Sequence, residues 1–282
     1  MVERNRLLDV LTWVVLAAGI LVIAFPVYVT FVASTLTPQE VLQSPMPLVP
    51  GPHLVGNYRQ ALLHGAGETS VPVARMLFNS LVMALGVAGG KILVSILSAF
   101  AIVYFRFPFR KAAFWMIFVT LMLPVEVRIM PTYKVVSDLR LINTHAGMIL
   151  PIIASATATF LFRQFFLTVP EELAEASRVD GASPMQFFRH TLLPLSATTI
   201  AALFVIQFIY GWNQYLWPLL VTTDRAMAPI VVGVTQMISR SGDAATSWNL
   251  VMATVMLAMI PPALIVVVMQ RWFVKGLIET EK

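Results

Sequence analysis

The sequence predicts an all-α, polytopic membrane protein with six transmembrane helices and both termini on the cytoplasmic side. Hydrophobic residues make up 58% of the 282 residues and charged residues only 12%, whereas a soluble domain carries about 25% charged residues. The mean hydropathy of +0.81 also favours a lipid environment. A transmembrane helix needs about 20 mostly apolar residues. Six runs satisfy this length, at about 10–33, 76–104, 112–130, 144–166, 195–220 and 248–273.

The first run, 10–33, is predicted to be a retained helix rather than a signal peptide. Arg4 and Arg6 precede it, as basic residues precede a signal sequence. The hydrophobic region of a signal peptide is, however, only about 7–15 residues long. This run is longer and has Pro26 in its interior. Further prolines interrupt the third and the sixth run, at Pro124, Pro261 and Pro262.

The distribution of basic residues predicts the orientation. With the N-terminus inside, the inner segments hold more of the 19 Lys and Arg residues than the outer segments do. Arg106, Arg110 and Lys111 fill the short connection between the second and third runs. Because cytoplasmic loops carry an excess of Lys and Arg, the polar loop 167–194 is predicted to be cytoplasmic.

Several function classes are excluded by composition. The chain has no Cys, and its four His residues are far apart, so a disulfide, a thiol nucleophile or a zinc site is not expected. The net charge of +5 is spread singly between apolar runs, which does not indicate a nucleic-acid partner. No hydrolase motif, paired carboxylate site or metal-ligand spacing is found, so we expect a transport subunit that is not an enzyme and binds no cofactor itself.

One glycine-rich string superficially resembles a nucleotide-binding loop. A P-loop has the pattern G-x-x-x-x-G-K-[ST]. The string from Gly86 to Lys91 is one residue short between its outer glycines, and Ile92 replaces the required hydroxyl residue. Gly86 and Gly90 instead form a small-xxx-small pair, which allows two helices to approach closely.

The polar loop 167–194 is predicted to be two short helices joined by a turn. Thr168 and Glu171 have the spacing of a capping box, which favours a helix from about Pro170 to Val179. Gly181 can adopt the positive φ that ends such a helix. The residues Ser183, Pro184 and Gln186 then offer a second N-terminus.

Phe187 and Phe188 in the second short helix leave two alternatives open. An aromatic pair on an exposed helix suits docking into a groove of a partner protein. The same pair could equally pack back on the membrane helices. The residues alone do not decide between these two alternatives.

The loop resembles the EAA loop of ABC importer permeases, whose pattern is Glu-Ala-Ala, three residues, Gly, nine residues, Ile, one residue, Leu-Pro. The chain has Glu175-Ala176-Ser177, Gly181, Thr191 and Leu193-Pro194 at that spacing, and Ser177 and Thr191 depart from the pattern. In that family the loop is a coupling helix that lies in a cleft of the ATPase subunit. The resemblance implies coupling roles for Glu175, Ala176, Asp180, Gly181, Ala182, Phe187 and Pro194.

The resemblance extends over nearly the whole chain. Asn57-Tyr58, Asn79-Ser80 and the segment 212–218 are similar to the maltose-type permeases, and 122–129, 155–166 and 208–220 are similar to permeases of sn-glycerol 3-phosphate importers. This implies a type I ABC importer permease in the bacterial inner membrane. It also implies a second permease in a heterodimer, two ATPase subunits that hold ATP and Mg, and a periplasmic binding protein. Whether glycerophosphodiesters are also carried stays open.

Two other functions remain as alternatives. A permease of the same family for a sugar or another polyol would share these motifs. An ion-driven secondary transporter would instead need carboxylates within the spans and often a repeated half. Glu126 is the only acid close to a span interior, and no internal repeat is found.

Five residues are candidates for the substrate path. Lys91, near the middle of the second run, either attracts the phosphate of an anionic substrate or forms a structural pair. Glu126 and Arg128 follow Pro124 and are either part of the path or an ion pair. Asn213 and Tyr215 flank Gln214 late in the fifth run. The amides of this polar group either contact a polyol, or the segment belongs, with the neighbouring tryptophans, to an interfacial belt.

Overall fold

The computed structural model describes residues 6–65, 71–120, 125–239 and 247–278, with the side chains of 6–9, 125–126, 239 and 271–278 left out. All regular elements in these ranges are helical, which confirms the all-α class. The α-helices are α1 Arg6–Ser34, α2 Pro38–Val41, α3 Leu54–His64, α4 Val73–Tyr104, α5 Arg110–Val119, α6 Val125–Asp138, α7 His145–Ile149, α8 Ala156–Thr168, α9 Glu171–Val179, α10 Pro184–Phe187, α11 Leu193–Leu195, α12 Ala197–Trp212, α13 Leu216–Val221, α14 Ile230–Ser239 and α15 Trp248–Ile278. Short 3₁₀ turns span Leu150–Ile152 and Arg225–Met227, and a π-helical segment spans Phe188–Leu192.

Three of the described helices are long and apolar enough to cross a membrane: Val10–Ser34, Val73–Tyr104 and Trp248–Gln270. Two bent helix pairs raise this number to five if each is one span: His145–Ile152 with α8, bent by 52°, and Pro184–Leu195 with α12, bent by 72°. The predicted third span, 112–130, includes residues 121–124, which lie outside the described residues. The count of six spans therefore stays a prediction.

The fourth and fifth predicted spans are broken, and proline explains where. Pro151 has no N–H to donate to the carbonyl of Gly147, four residues earlier. Trp217 supplies the missing donor, because its Nε1–H donates to the Gly147 carbonyl at 3.2 Å. In the fifth span, Pro218 likewise cannot bond the carbonyl of Gln214, and the helix is interrupted between α12 and α13. A hydropathy window does not detect these breaks.

The contacts divide the chain into two units, residues 1–74 with 234–259 and residues 75–233 with 260–282. In the first unit, Asn57 of α3 closes the C-terminal end of α1. Its side-chain amide donates to the carbonyls of Ser34 and Leu36 at 2.8 and 2.9 Å, and its oxygen accepts from Asn249 at 3.1 Å. These bonds satisfy helix-end groups that would otherwise lack partners.

In the second unit, α4 is approached closely by its neighbours at glycines. A Cβ added at Gly90 would lie 2.6 Å from Cγ2 of Ile153, and one at Gly86 would lie 2.6 Å from Cδ1 of Ile149. Gly211 of α12 meets α4 in the same way, since its Cβ would lie 3.0 Å from Cα of Ala84. The structure thus agrees with the predicted small-xxx-small contact of Gly86 and Gly90.

Two hydrophobic clusters hold the second unit together. One joins α4 to α6, α7 and α13 through buried residues Met83, Val87, Val136, Met148, Trp217 and Val221. The other joins α4 and α8 to the polar loop through residues that include Phe100, Phe162, Phe166, Phe187, Phe188 and Leu192. The loop is therefore packed against α4 and α8 through buried side chains and is not a loose connection between helices.

Candidate functional site

A cavity of about 360 Å³ lies in the second unit. It is bounded by α4, α6 and α12, together with the break before α8. Polar and charged residues form much of its wall: Lys91, Thr120, Arg128, Thr132, Ser155, Thr157, Tyr210 and Gln214. The sequence predicted two of these, Lys91 and Arg128, as candidates for a substrate path, and the fold brings them to one cavity.

Lys91 is held by an aromatic ring. It is only 6% exposed and lies thirteen residues before the end of α4, about 20 Å along the helix axis. Its Nζ lies 3.5 Å from the centroid of the Tyr210 ring. A lysine over an aromatic face is stabilised by about 2 kcal/mol when it is desolvated. Among the described residues, the partner of Lys91 is thus a ring and not a carboxylate.

The cavity is cationic. Lys91 and Arg128 both line it, and none of its described lining residues is acidic. Two like charges near a low-dielectric wall raise the local potential and attract anions. Glu126, also predicted for the path, belongs to α6, but its side chain lies outside the described part of the chain.

The remaining predicted path residues lie elsewhere. Asn213 is exposed and Tyr215 is 38% exposed, and neither is among the residues that line the cavity. Tyr210 and Gln214 line it instead. The sequence reasoning considered Gln214, together with Asn213, as an amide that could contact a polyol, but it did not select Tyr210. The four-residue spacing of the two residues across the C-terminal end of α12 was the available signal, and the Gln214 side-chain amide donates to the Tyr210 carbonyl at 3.3 Å.

The loop 167–194 forms a second candidate site. Its first helix, α9 Glu171–Val179, is present as predicted, but Thr168 does not cap it. Thr168 is the last residue of α8, and its hydroxyl donates to the Phe165 carbonyl at 2.7 Å. Pro170 occupies the N-cap position without a side-chain hydrogen bond. The predicted capping box is wrong because α8 continues to Thr168 and uses the hydroxyl itself.

The turn after α9 requires glycine. Gly181 has φ of 74°, a conformation in which side chains are strained. The N–H groups of Gly181 and Ala182 donate to the carbonyls of Arg178 and Ser177 at 3.1 and 3.0 Å. These bonds close the C-terminus of α9, as predicted from the sequence.

The second helix of the loop begins at the predicted capping box. The Ser183 hydroxyl accepts from the Gln186 N–H at 3.3 Å, and the Gln186 side chain accepts from the Ser183 N–H at 2.7 Å. The π-helical segment Phe188–Leu192 follows. Pro194 has no N–H to donate to the His190 carbonyl, four residues earlier. The wider π-helical turn accommodates this unpaired carbonyl.

Burial separates the loop residues into two sets. Phe187 and Phe188 are 7% and 8% exposed, and their rings lie 5.3 Å from Tyr104 and 4.9 Å from Phe100 between centroids. They pack back on the membrane helices, which is the second of the two alternatives. Ala182 is half-buried, whereas the other predicted coupling residues are exposed: Glu175, Ala176, Asp180, Gly181 and Pro194.

A family model for binding-protein-dependent transport system inner membrane components matches residues 91–279, about two thirds of the chain. The chain belongs to this family. It is a membrane-spanning permease subunit of an ABC importer and not an enzyme. As its family description states, such a permease is one component of a transport system that depends on a binding protein.

Full-length relatives narrow the comparison. The permease is 60% identical to the sn-glycerol-3-phosphate transport system permease protein UgpE of Pectobacterium atrosepticum, over 100% of both chains. It is 59% and 57% identical to the proteins of the same name from Agrobacterium fabrum and Yersinia pestis, again over 100% of both chains. These relatives confirm the resemblance to permeases of sn-glycerol 3-phosphate importers that was inferred from the motifs.

A solved structure is similar in fold. It is the crystal structure of a bacterial ABC transporter involved in the import of the acidic polysaccharide alginate. One of its chains aligns with a TM-score of 0.82 and 18% identity, over 97% of the permease and 99% of that chain. The predicted ABC importer permease fold is thereby confirmed.

Proposed function

We propose that the permease imports sn-glycerol 3-phosphate across the bacterial inner membrane, driven by ATP hydrolysis on a separate subunit. The cationic cavity around Lys91 and Arg128 carries this proposal. The name shared by the full-length relatives supports the same substrate. A neutral sugar would gain nothing from two cations that lack an acidic partner among the described lining residues.

The chemistry of the cavity suits a phosphate monoester. Such a group carries a charge of about −1.5 to −2 near neutral pH, which the charges of Lys91 and Arg128 can balance. Because the Lys91 ammonium lies against the Tyr210 ring and has no carboxylate partner among the described residues, its charge and the N–H groups that point away from the ring are available to an anion. The hydroxyl-bearing residues Thr132 and Thr157 line the same cavity and can meet the glycerol hydroxyls.

The loop 167–194 is proposed to couple the permease to its ATPase. Its exposed residues Glu175, Ala176 and Asp180 are free to contact a partner. Its buried residues Phe187, Phe188 and Leu192 share a hydrophobic cluster with α4 and α8. A push on the exposed face would therefore move the helices as well, since packed interiors transmit displacement.

The assembly proposed around the permease has four further components. A second permease forms a heterodimer with it, and two ATPase subunits bind ATP and Mg on the cytoplasmic side. A periplasmic binding protein delivers the substrate. ATP-driven closure of the ATPases would switch the two permeases between inward-open and outward-open states.

The decisive experiment is uptake of labelled glycerol 3-phosphate by cells that express the whole importer with Lys91→Met in the permease. Hydrogen bonds to charged groups contribute about 1.5–3 kcal/mol. The KM should therefore rise about 10- to 100-fold, with normal amounts of the complex in the membrane. Lys134→Met is the matched control, because Lys134 is exposed on α6 and does not line the cavity. Unchanged KM and rate in Lys91→Met would refute the phosphate role.

Two further arms of this assay separate the alternatives. Competition by glycerol or a sugar as strong as that by glycerol 3-phosphate would identify a neutral substrate. Uptake that persists without the ATPase but stops with an ionophore would identify an ion-driven transporter instead.

A further inference from the structure

A second cationic cavity lies closer to the C-terminal ends of α4 and α8. It also measures about 360 Å³, and it lies where the ends of α4 and α8 meet the start of α5. Eight residues line it: Ile102, Val103, Arg110, Lys111, Phe114, Trp115, Arg163 and Leu167. Three of them are basic and none is acidic. The proposed transport path does not include this cavity.

One N–H group of Arg163 in this cavity lacks an acceptor among the described residues. Its guanidinium carbon lies 4.4 Å from the centroid of the Phe114 ring, which fixes the group over an aromatic face. Its Nε is buried without a hydrogen-bond partner among the described residues. A buried donor without a partner is unfavourable by about 1–3 kcal/mol. The Nε–H of Arg163 is therefore available to an acceptor such as an anion.

The other two cations stand at the rim. Arg110 donates from Nη1 to the Phe105 carbonyl at a long 3.4 Å, and Lys111 is exposed. Neither has an acidic partner among the described residues. Three cations around one opening match the several oxygens of a phosphate group, and arginine binds phosphate in a bidentate manner.

The apolar part of the cavity indicates what carries this phosphate. Trp115 and Leu167 are 59% and 54% exposed beside the three cations. Tryptophan is enriched at the level of lipid headgroups, where a polar and an apolar layer meet. A soluble phosphate ion has no part that would cover these side chains, whereas the acyl chains of a lipid would.

We propose that this cavity binds the phosphate of an anionic phospholipid in the cytoplasmic leaflet, with its acyl chains along Trp115 and Leu167. Basic pockets between transmembrane helices on the cytoplasmic side bind anionic headgroups in this manner. The choice of leaflet rests on the orientation proposed above, whereas binding itself depends on neither the substrate nor transport. A bound lipid would also tie α5 to α8 next to the loop 167–194.

The test is native mass spectrometry of the complete purified importer, incubated with phosphatidylglycerol or with zwitterionic phosphatidylethanolamine of the same acyl chains. Wild type should retain phosphatidylglycerol in preference. Arg163→Gln and Lys111→Gln should each lower its retention about fivefold, because one basic residue near anionic lipid contributes that factor. Phosphatidylethanolamine retention should not change. Arg189→Gln is the control, since Arg189 is exposed on the π-helical segment and does not line the cavity.

Three outcomes would overturn the proposal. One is equal retention of both lipids by wild type, and another is equal loss in the Arg189→Gln control. The third is binding of inorganic phosphate alone, which would identify a soluble anion. Because Lys111 is exposed at the rim, Lys111→Gln keeps the test valid if Arg163→Gln fails to fold. A normal lipid result with no glycerol 3-phosphate uptake would refute the proposed substrate and leave the lipid site intact.

Discussion

At the scale of single residues, the proposed substrate cavity depends on the contact between Lys91 and Tyr210, which neither residue type predicts on its own. Lysine in an apolar helix is expected to meet a carboxylate, yet Lys91 lies under the ring of Tyr210. An ion pair would neutralise the lysine, whereas a ring leaves its charge available. The ring therefore orients Lys91 without competing with an anionic substrate.

Substitution of Tyr210 tests this role. Tyr210→Phe keeps the aromatic face, so uptake of glycerol 3-phosphate should have a nearly unchanged KM. Tyr210→Leu keeps an apolar side chain but removes the ring, and the KM should rise about fivefold or more, the factor for a cation–π contact of about 1–2 kcal/mol. A kinetic comparison of the two variants is the measurement. Equal values for both would show that the ring does not orient Lys91.

Close helix contact gives a prediction at two adjacent glycines of α4. A Cβ at Gly90 would lie 2.6 Å from Ile153, whereas one at Gly89 would have nothing within 4 Å. Gly90→Ala should therefore lower the thermal midpoint of the purified permease, since overpacking is unfavourable by about 1–3 kcal/mol. Gly89→Ala should leave it unchanged or raise it, because alanine favours helices over glycine by about 1 kcal/mol. A lower midpoint for Gly89→Ala than for Gly90→Ala would contradict the packing.

At the scale of elements, the hydrogen bonds that cap the loop helices were predictable from nearby residues. Whether a neighbouring helix would use the same side chain instead was not predictable. Gly181, Ser183 and Gln186 have the predicted roles, because each acts through backbone groups within three residues. Thr168 was misread, because α8 continues far enough to use its hydroxyl. At Pro151 the break involves a distant donor, Trp217. At Pro218 it involves the start of the next helix, α13. The sequence of one segment does not show either interaction.

Two of the hydroxyl residues in the loop, Ser183 and Thr168, give a matched pair of variants. Ser183→Ala removes the hydroxyl that caps α10, which should destabilise the helix by about 1 kcal/mol. Hydrogen exchange in a peptide that covers residues 181–188 should then be about fivefold faster. Thr168→Ala removes a hydroxyl that caps neither loop helix, so exchange across α9 should not change. Faster exchange in α9 for Thr168→Ala would restore the capping role predicted from the sequence.

The exposed face of α9 gives a prediction for subunit association. Glu175→Lys reverses a charge at the proposed ATPase contact, and a like-charge or unpaired contact at an interface is unfavourable by several kcal/mol. Less ATPase should copurify with a tagged permease, while the second permease stays bound. Asp138→Lys is the control, since Asp138 is an exposed acid at the end of α6. Equal ATPase recovery from both variants would place the contact elsewhere.

At the scale of the whole molecule, hydropathy predicted the continuous helices better than the broken ones. The first, second and sixth predicted spans correspond to α1, α4 and α15 within a few residues. These helices are continuous, even where Pro26, Pro261 and Pro262 lie inside them, so length and apolar content suffice to find them. The cavity could be predicted only in part, because it lies where interrupted helices meet. Lys91 and Arg128 were found because charges are unusual in apolar helices, and Gln214 was noticed as a polar residue late in the fifth span. Nothing in the sequence singles out Tyr210.

The proposed orientation can be tested directly by labelling single introduced cysteines. Because the chain has no Cys of its own, the permease gives no background labelling. Val179 is 87% exposed on α9, and Val55 and Leu139 are 74% and 64% exposed on segments predicted to be outside. In intact spheroplasts, a membrane-impermeant maleimide should label Val55→Cys and Leu139→Cys. It should label Val179→Cys only after the membrane is permeabilised.

This labelling pattern bears on both the coupling loop and the lipid site. Val179 lies beside the proposed ATPase contact, and Arg163 is predicted to lie at the same inner membrane face, so both proposals need Val179 inside. Lys and Arg bias is a statistical preference for one orientation, and labelling tests the orientation itself. Labelling of Val179→Cys in intact spheroplasts, with Leu139→Cys protected, would show that the protein has the opposite orientation in the membrane. The loop would then face the periplasm, where no ATP is available to drive it.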